Sequence, residues 1–261
     1  MNALEQIVAR TRAQLATRRA RVGAAELARA ASARLASDPP RAFEAALAAP
    51  GLSVIAEHKR RSPSAGTIRE DLALEHVVGA YERAGAHALS VLTETSSFGG
   101  ALDDLGRARA ASALPVLRKD FIVDAYQVVE SCAAGADAIL LIVAAVQDAG
   151  ALSELYEQAR ELGLGVLVEI HDAAELATAA ALGASVIGIN NRDLTTLIVR
   201  AQTTFELLAE VPSGTTVVSE SGWRERSQLA RLRDAGVQAV LVGEALMRAA
   251  DVEAACRELI L

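Results

Sequence analysis

AILLIVAAVQDAGALSELYEQARELGLGVLV, residues 138–168, decides how the chain reads. It opens on the apolar run Ala138–Ile142 and closes on another, Gly165–Val168. Between them Ser153–Leu162 carries an amphipathic helical pattern that stops at Gly163, the usual residue of a helix C-cap. A strand that is apolar at every position is covered on both faces, as parallel strands flanked by helices are. The stretch therefore predicts one strand–helix–strand unit.

The unit recurs in both directions. Leu52–Ala56, Ala88–Leu92, Leu114–Leu117, Ser185–Ile189, Thr215–Val218 and Gln238–Val242 are further apolar runs, separated by helical stretches such as Ala173–Ala181. Gly85, Gly135, Gly183 and Gly236 repeat the cap just ahead of a strand. Eight such units predict a (β/α)8 TIM barrel, an α/β fold. The rival is an open doubly wound sheet. Its dinucleotide-binding form needs a G-x-G-x-x-G turn after the first strand, and none is present there. Residues 1–50 read as a helical extension packed on the barrel, within one domain spanning 1–261. Leu4, Ile7, Val8 and Leu15 mark one helical face, Ala24–Leu35 continues the pattern, Asp38-Pro39-Pro40 breaks it, and Arg41–Ala48 forms a short helix.

Composition narrows the function. The 261 residues carry a net charge of −7, which argues against nucleic acid or an anionic membrane as partner. The longest apolar run, Ala138–Val146, is far short of the ~20 residues of a membrane helix. Arg10, Arg12, Arg18 and Arg19 interrupt the apolar pattern of the N-terminus, so no signal peptide is expected. Cys132 and Cys256 provide no disulfide framework, and His58, His76, His87 and His171 have no ligand spacing, so no metal is expected and the histidines read as structural. The expected location is the cytoplasm.

In a barrel, chemistry sits at the C-terminal ends of the strands. Read in order, those ends carry Glu57 and Lys59, then Thr93-Glu94, Arg118-Lys119-Asp120-Phe121, Glu169, Asn190-Asn191-Arg192-Asp193, Ser219-Glu220-Ser221-Gly222 and Gly243-Glu244. Of 26 basic residues 24 are arginine; Lys59 and Lys119 are the only lysines, and both fall on this rim with Glu57, Glu169 and Glu220. Arginine serves any solvated surface, but only lysine is a compact ammonium whose proton can be exchanged. Charges of both signs converging on one cleft point to acid–base catalysis rather than to isolated salt bridges. Ser221-Gly222 and Gly243 place small residues where backbone N–H groups can approach a phosphate, with Glu244 expected to turn its side chain away. Phe98 and Phe121 could sandwich a planar ring.

As a set, Ile55-Ala56-Glu57-His58-Lys59-Arg60-Arg61-Ser62-Pro63-Ser64, Leu114-Pro115-Val116-Leu117-Arg118-Lys119-Asp120-Phe121, Ile187-Gly188-Ile189-Asn190-Asn191-Arg192-Asp193-Leu194 and Ser219-Glu220-Ser221-Gly222 resemble indole-3-glycerol phosphate synthase. The resemblance implies conversion of 1-(2-carboxyphenylamino)-1-deoxyribulose 5-phosphate to indole-3-glycerol phosphate, with loss of CO2 and water and no cofactor. It implies Lys119 as general acid of ring closure, Glu169 and Lys59 as base and acid of dehydration, and Glu57 tuning Lys59. Asn190, Arg192 and Glu220 would orient the substrate. Ser62, Ser221, Gly222 and Gly243, with Leu241 and Glu244 beside them, would surround its phosphate and carboxylate, and Phe98 and Phe121 its aromatic ring. The expected partner is a small phosphorylated molecule, with the chain monomeric and other tryptophan-pathway enzymes as candidate associates. Ser96-Ser97, Arg200 and Trp223 depart from the family's usual pattern. Two other readings compete: a Schiff-base sugar-phosphate aldolase, and a barrel that binds a phosphorylated ligand without turnover.

Overall fold

The computed structural model describes residues 2–261. Its eight principal strands, β1 (Ser53–His58), β2 (Ala88–Leu92), β3 (Val116–Lys119), β4 (Ala138–Ile142), β5 (Gly165–Ile170), β6 (Val186–Asn190), β7 (Thr216–Glu220) and β8 (Ala239–Val242), are all parallel. Each pairs with its neighbours in sequence, and β8 returns to β1 with Ala239 opposite Ser53, closing the barrel. The expected strands are all present, but several run further than their apolar cores. β1 continues through Glu57 and His58, β3 through Arg118 and Lys119, β5 to Ile170, β6 to Asn190 and β7 to Glu220. A charged residue ends an apolar run but not a hydrogen-bonded ladder, so the strands carry their polar residues on their last turns of pleat.

Alternation divides the core. Ile55, Leu117, Leu140, Leu167 and Leu241 pack together inside the barrel, whereas Val54, Ala56, Val116, Ile139 and Leu141 pack with the surrounding helices. Each fully buried aliphatic side chain contributes about 1.5–3 kcal/mol. Gly85, Gly135, Gly163, Gly183 and Gly236 all take the left-handed conformation expected of them at helix ends. Between β1 and the next helix, Arg61–Ser62 pairs antiparallel with Gly66–Thr67 in a short hairpin that the sequence pattern did not reveal.

The N-terminal residues run the length of the barrel. α1 (Ala3–Arg21) starts with a capping box between Asn2 and Glu5, and its Ile7 packs with Phe121 in the inner cluster at the C-terminal mouth. α2 (Ala24–Ser37) lies on the helix Ala125–Ala133. α3 (Phe43–Leu47) plugs the opposite end, where Phe43 sits against Gly165 so closely that a methyl there would meet its ring at 3.1 Å. Fully buried Asp137 fastens this end: its carboxylate accepts from Val116 N at 2.9 Å, Arg41 N at 2.8 Å and Arg34 at 3.1 Å, and it also pairs with Arg109.

Candidate active site

The barrel's own geometry builds the site. Inward side chains stack in layers supplied by alternate strands. In the layer near the mouth β1, β3, β5 and β7 contribute Glu57, Lys119, Glu169 and Glu220. Leu140 and Leu241 form the floor beneath, and Leu92, Ile142, Asn190 and Gly243 line the wall above. The cavity so enclosed has a volume of about 450 Å³. Its core is therefore a ring of charge where other layers hold aliphatic side chains.

Within the ring, Lys119 Nζ lies 3.1 Å from Glu169 Oε2 and 3.4 Å from Glu220 Oε2. Lys59 Nζ lies 2.7 Å from Glu57 Oε1, and Ser90 donates to Glu57 Oε2 at 3.4 Å. Asn190 donates to Glu169 Oε1 at 3.0 Å, while its own Oδ1 accepts from Arg192 N at 3.0 Å and Ser221 Oγ at 2.9 Å. That last bond accompanies a left-handed Ser221, at φ 66°, followed by Gly222 at φ 95°. A non-glycine residue in this region is strained, and such strain collects at functional sites.

Three carboxylates and two ammoniums cannot all ionise without leaving excess negative charge in a buried space. Burial disfavours the Lys119 ammonium, but the charges of Glu169, Glu220 and Glu57 outweigh it and hold its pKa well above lysine's ordinary value. Burial likewise opposes ionised Glu169, yet Lys119, His171 and Asn190 reverse the balance and hold it far below the carboxylate range. Glu220 yields instead. Burial, reinforced by Glu169 and Glu57, pushes its carboxyl up to about 8 against the pull of Lys119. Its Oε1 has no hydrogen-bond partner among the described residues and lies against Gly188, where any β-carbon would collide with it. The ring thus pairs a firmly held acid with a firmly ionised base about one hydrogen bond apart.

All the sequence-derived candidates except Ser62 line this cavity. Ser62 faces a smaller adjoining hollow between α1 and the mouth, with Leu4, Ile7, Phe98 and Phe121, and its Oγ accepts from Ala65 N at 3.2 Å. It stands apart from Ser221, Gly222 and Gly243, with which the sequence grouped it. Phe98 and Phe121 do not stand as the two faces of a sandwich as expected: their ring centroids are 6.3 Å apart with the planes tilted by 36°, so the rings contact each other and form one wall. Glu94 caps the short helix Thr95–Phe98, accepting from the N–H groups of Ser96, Ser97 and Phe98, and so fixes Phe98. Glu244 pairs with Arg248 at 3.0 Å and lines the rim of the cavity. At Gly243 the missing side chain makes room for Glu57.

The unusual residues acquire partners. Ser97 and Ser96 accept from Arg10 at 2.9 Å and Gln14 at 3.3 Å, both on α1. Trp223 is buried, donating from Nε1 to Ser219 Oγ at 3.0 Å and meeting Phe205 edge-on, so its indole braces the wall. Arg200 pairs with Glu206 at 3.4 Å on the surface.

Sequence reading missed two supports. His171, read there as structural, brings Nε2 to 3.3 Å from Glu169 Oε1; its position two residues beyond Glu169 was the available signal. Arg118, fully buried and opposite in phase to Lys119, bonds Thr93, Asp120 and Glu130, and Glu130 in turn binds Arg18 of α1 at 2.8 Å.

Comparison with known proteins agrees over the whole chain. The family model described as indole-3-glycerol phosphate synthase matches residues 4–259. A protein of that name from Acidithiobacillus ferrooxidans is 52% identical over 251 residues, covering 95% of this chain and 94% of the relative. One from Nocardioides sp. is 48% identical over 259 residues, covering 99% and 98%. Among solved structures, 3-hexulose-6-phosphate synthase from Salmonella typhimurium superposes with TM-score 0.64 at 16% identity, over 80% of this chain and 96% of that one. A mutant tryptophan synthase α-subunit from Pyrococcus furiosus gives 0.60 at 17%, over 80% and 98%. These two share the fold.

Proposed function

The chain belongs to the indole-3-glycerol phosphate synthase family, and we propose that Lys119 and Glu169 are the acid and base with which it works. It is a carbon–carbon lyase of tryptophan biosynthesis: it closes the indole ring of 1-(2-carboxyphenylamino)-1-deoxyribulose 5-phosphate, releasing CO2 and water. The observation that carries the assignment of roles is the 3.1 Å contact between Lys119 and Glu169 at the centre of the charged layer.

As the aryl carbon attacks the ketone carbon, a carbon–carbon bond forms and the oxygen becomes a hydroxyl. Lys119, kept protonated by its carboxylates, delivers that proton. The ring cation formed is its own electron sink, so the carboxylate leaves as CO2 and its bonding pair restores the aromatic ring without a cofactor. Dehydration follows. Lys59, held by Glu57, protonates the departing hydroxyl, and Glu169 takes the proton whose loss completes the indole. Each such proton transfer contributes roughly 10²–10⁴-fold. Asn190 orients Glu169, Arg192 and Glu220 hold the substrate, and Phe98 and Phe121 together form the apolar wall for its aromatic ring. Ser221, Gly222 and Gly243 receive the phosphate, with Leu241 as floor and Glu244 at the rim. Ser62 contacts the substrate from the adjoining hollow. A monomer in the cytoplasm completes the proposal; among the described residues no helix is long and apolar enough to cross a membrane.

The raised pKa of Lys119 opposes its use as an amine nucleophile and hence an aldolase working through that lysine. Incubation with the carboxyphenylamino substrate should give indole fluorescence matched one-to-one by CO2, with no covalent adduct trapped by borohydride. A trapped adduct would overturn the acid–base assignment.

A further inference from the structure

Glu169 is held by groups from several elements: Lys119 on β3, Asn190 on β6 and His171 just past the end of β5, with Glu220 on β7 sharing Lys119. His171 itself stands between two carboxylates. Its Nε2 faces Glu169 Oε1 at 3.3 Å and its Nδ1 faces Glu175 Oε2 at 2.9 Å. Glu175 lies in the first turn of the helix Ala173–Ala181, where its Oε2 also accepts from His171 N at 2.8 Å and its own N–H is fixed by Asp172 at 2.9 Å. The remaining charge near the ring is Asp193, in the loop after β6.

Ionised carboxylates only accept hydrogen bonds, whereas a neutral imidazole has a single N–H. Nδ1 is within a hydrogen bond of Glu175, and buried Nε2 faces Glu169 Oε1 at 3.3 Å without hydrogen-bond geometry, so two carboxylates flank the ring and favour the form that carries both protons. The geometry points to His171 as a positioning residue: an imidazolium clamped by Glu175, it sets a positive charge against Glu169 Oε1, which Asn190 orients, and keeps that carboxylate ionised. Consistently, although burial opposes its charge, the two carboxylates raise the ring to about 10. This inference rests on Glu169 being the base. The clamp leaves Glu169 free to take its proton at Oε2, the oxygen shared with Lys119. It acts through Glu169 and lies outside the cavity lining.

Removing the cation should raise the pKa of Glu169, so the acid limb of kcat/KM moves to higher pH. In His171→Gln the expected displacement is roughly 1 pH unit, with kcat reduced and KM little changed. Glu175→Gln should move the limb in the same direction by less. Nitrogen NMR of the unaltered enzyme supplies a test independent of any variant's folding: one of the four histidines should remain doubly protonated at pH 8. A pH profile of His171→Gln superimposable on the parent's, or four neutral histidines at pH 8, overturns the inference while leaving Glu169 as base. Undiminished turnover in Glu169→Gln would instead overturn the base assignment itself.

Discussion

Replacing Gly243 by alanine should disable the site through a single methyl group. A Cβ at 243 would lie 2.9 Å from Glu57 Cδ and 3.0 Å from Glu57 Cβ, and closer still to Oε1. Carbon atoms in good contact stand about 3.5–4.0 Å apart, so Glu57 must retreat by roughly 0.5–1 Å. Gly243 has φ −127°, so the predicted effect comes from the clash and not from a left-handed backbone. Because the clash reaches Cβ, rotation of the carboxylate alone does not relieve it, and the 2.7 Å contact with Lys59 is lost or distorted. Overpacking of this kind costs about 1–3 kcal/mol, and a chain of this size loses about 2–4 °C of Tm per kcal/mol. A displacement approaching 1 Å in a catalytic pair lowers turnover on the order of 10²-fold. Steady-state fluorescence assays and calorimetric melting measure both. In a Glu57→Ala background, where only the Cβ contact remains, the added penalty should shrink. Full activity with an unchanged Tm in Gly243→Ala would refute the reasoning.

Glu220 makes stability pH-dependent in a stated direction. Its folded pKa, raised mainly by burial to about 8, exceeds the ordinary ~4.3, so its contribution is complete below the ordinary value and lost as pH rises through 8. Urea midpoints across pH 4–9 should therefore slope less in Glu220→Gln; an identical slope would contradict this. Asp137→Asn leaves buried Arg34 without its counter-charge and Arg109 with Asp38 alone, and should cost about 3–5 kcal/mol, read as a lowered urea midpoint; an unchanged midpoint would show that the network at the base of the barrel is not a principal tie.

The barrel was legible because every strand contains a buried run and every return helix an apolar face, patterns that survive in one dimension. Strand ends were less so. Glu57, Lys119, Glu169, Asn190 and Glu220 end the apolar runs but remain in the ladder, so their inward phase, not their place beyond the strand, brings them together. The alternation of strands then explains why residues from β1, β3, β5 and β7 meet while 50 or more residues apart. His171 was hard to read as a site residue because its place two residues beyond Glu169 was the only signal, and its role appears only when Glu175 and Glu169 face its two nitrogens. The path of the first 50 residues was also hidden, since it depends on buried pairs such as Arg34–Asp137 and Arg18–Glu130 that join distant stretches. Ser96 and Ser97 read as departures in isolation and as partners of α1 in three dimensions.

The central claim is that Lys119 supplies the proton for ring closure rather than merely holding the substrate. Single-turnover product formation and calorimetric binding of the substrate should be measured together on Lys119→Met. The account predicts that indole formation is abolished, with a loss of at least about 10²-fold, while binding through Ser221, Gly222 and Gly243 persists. Binding and turnover lost in the same proportion, or turnover retained, would contradict it.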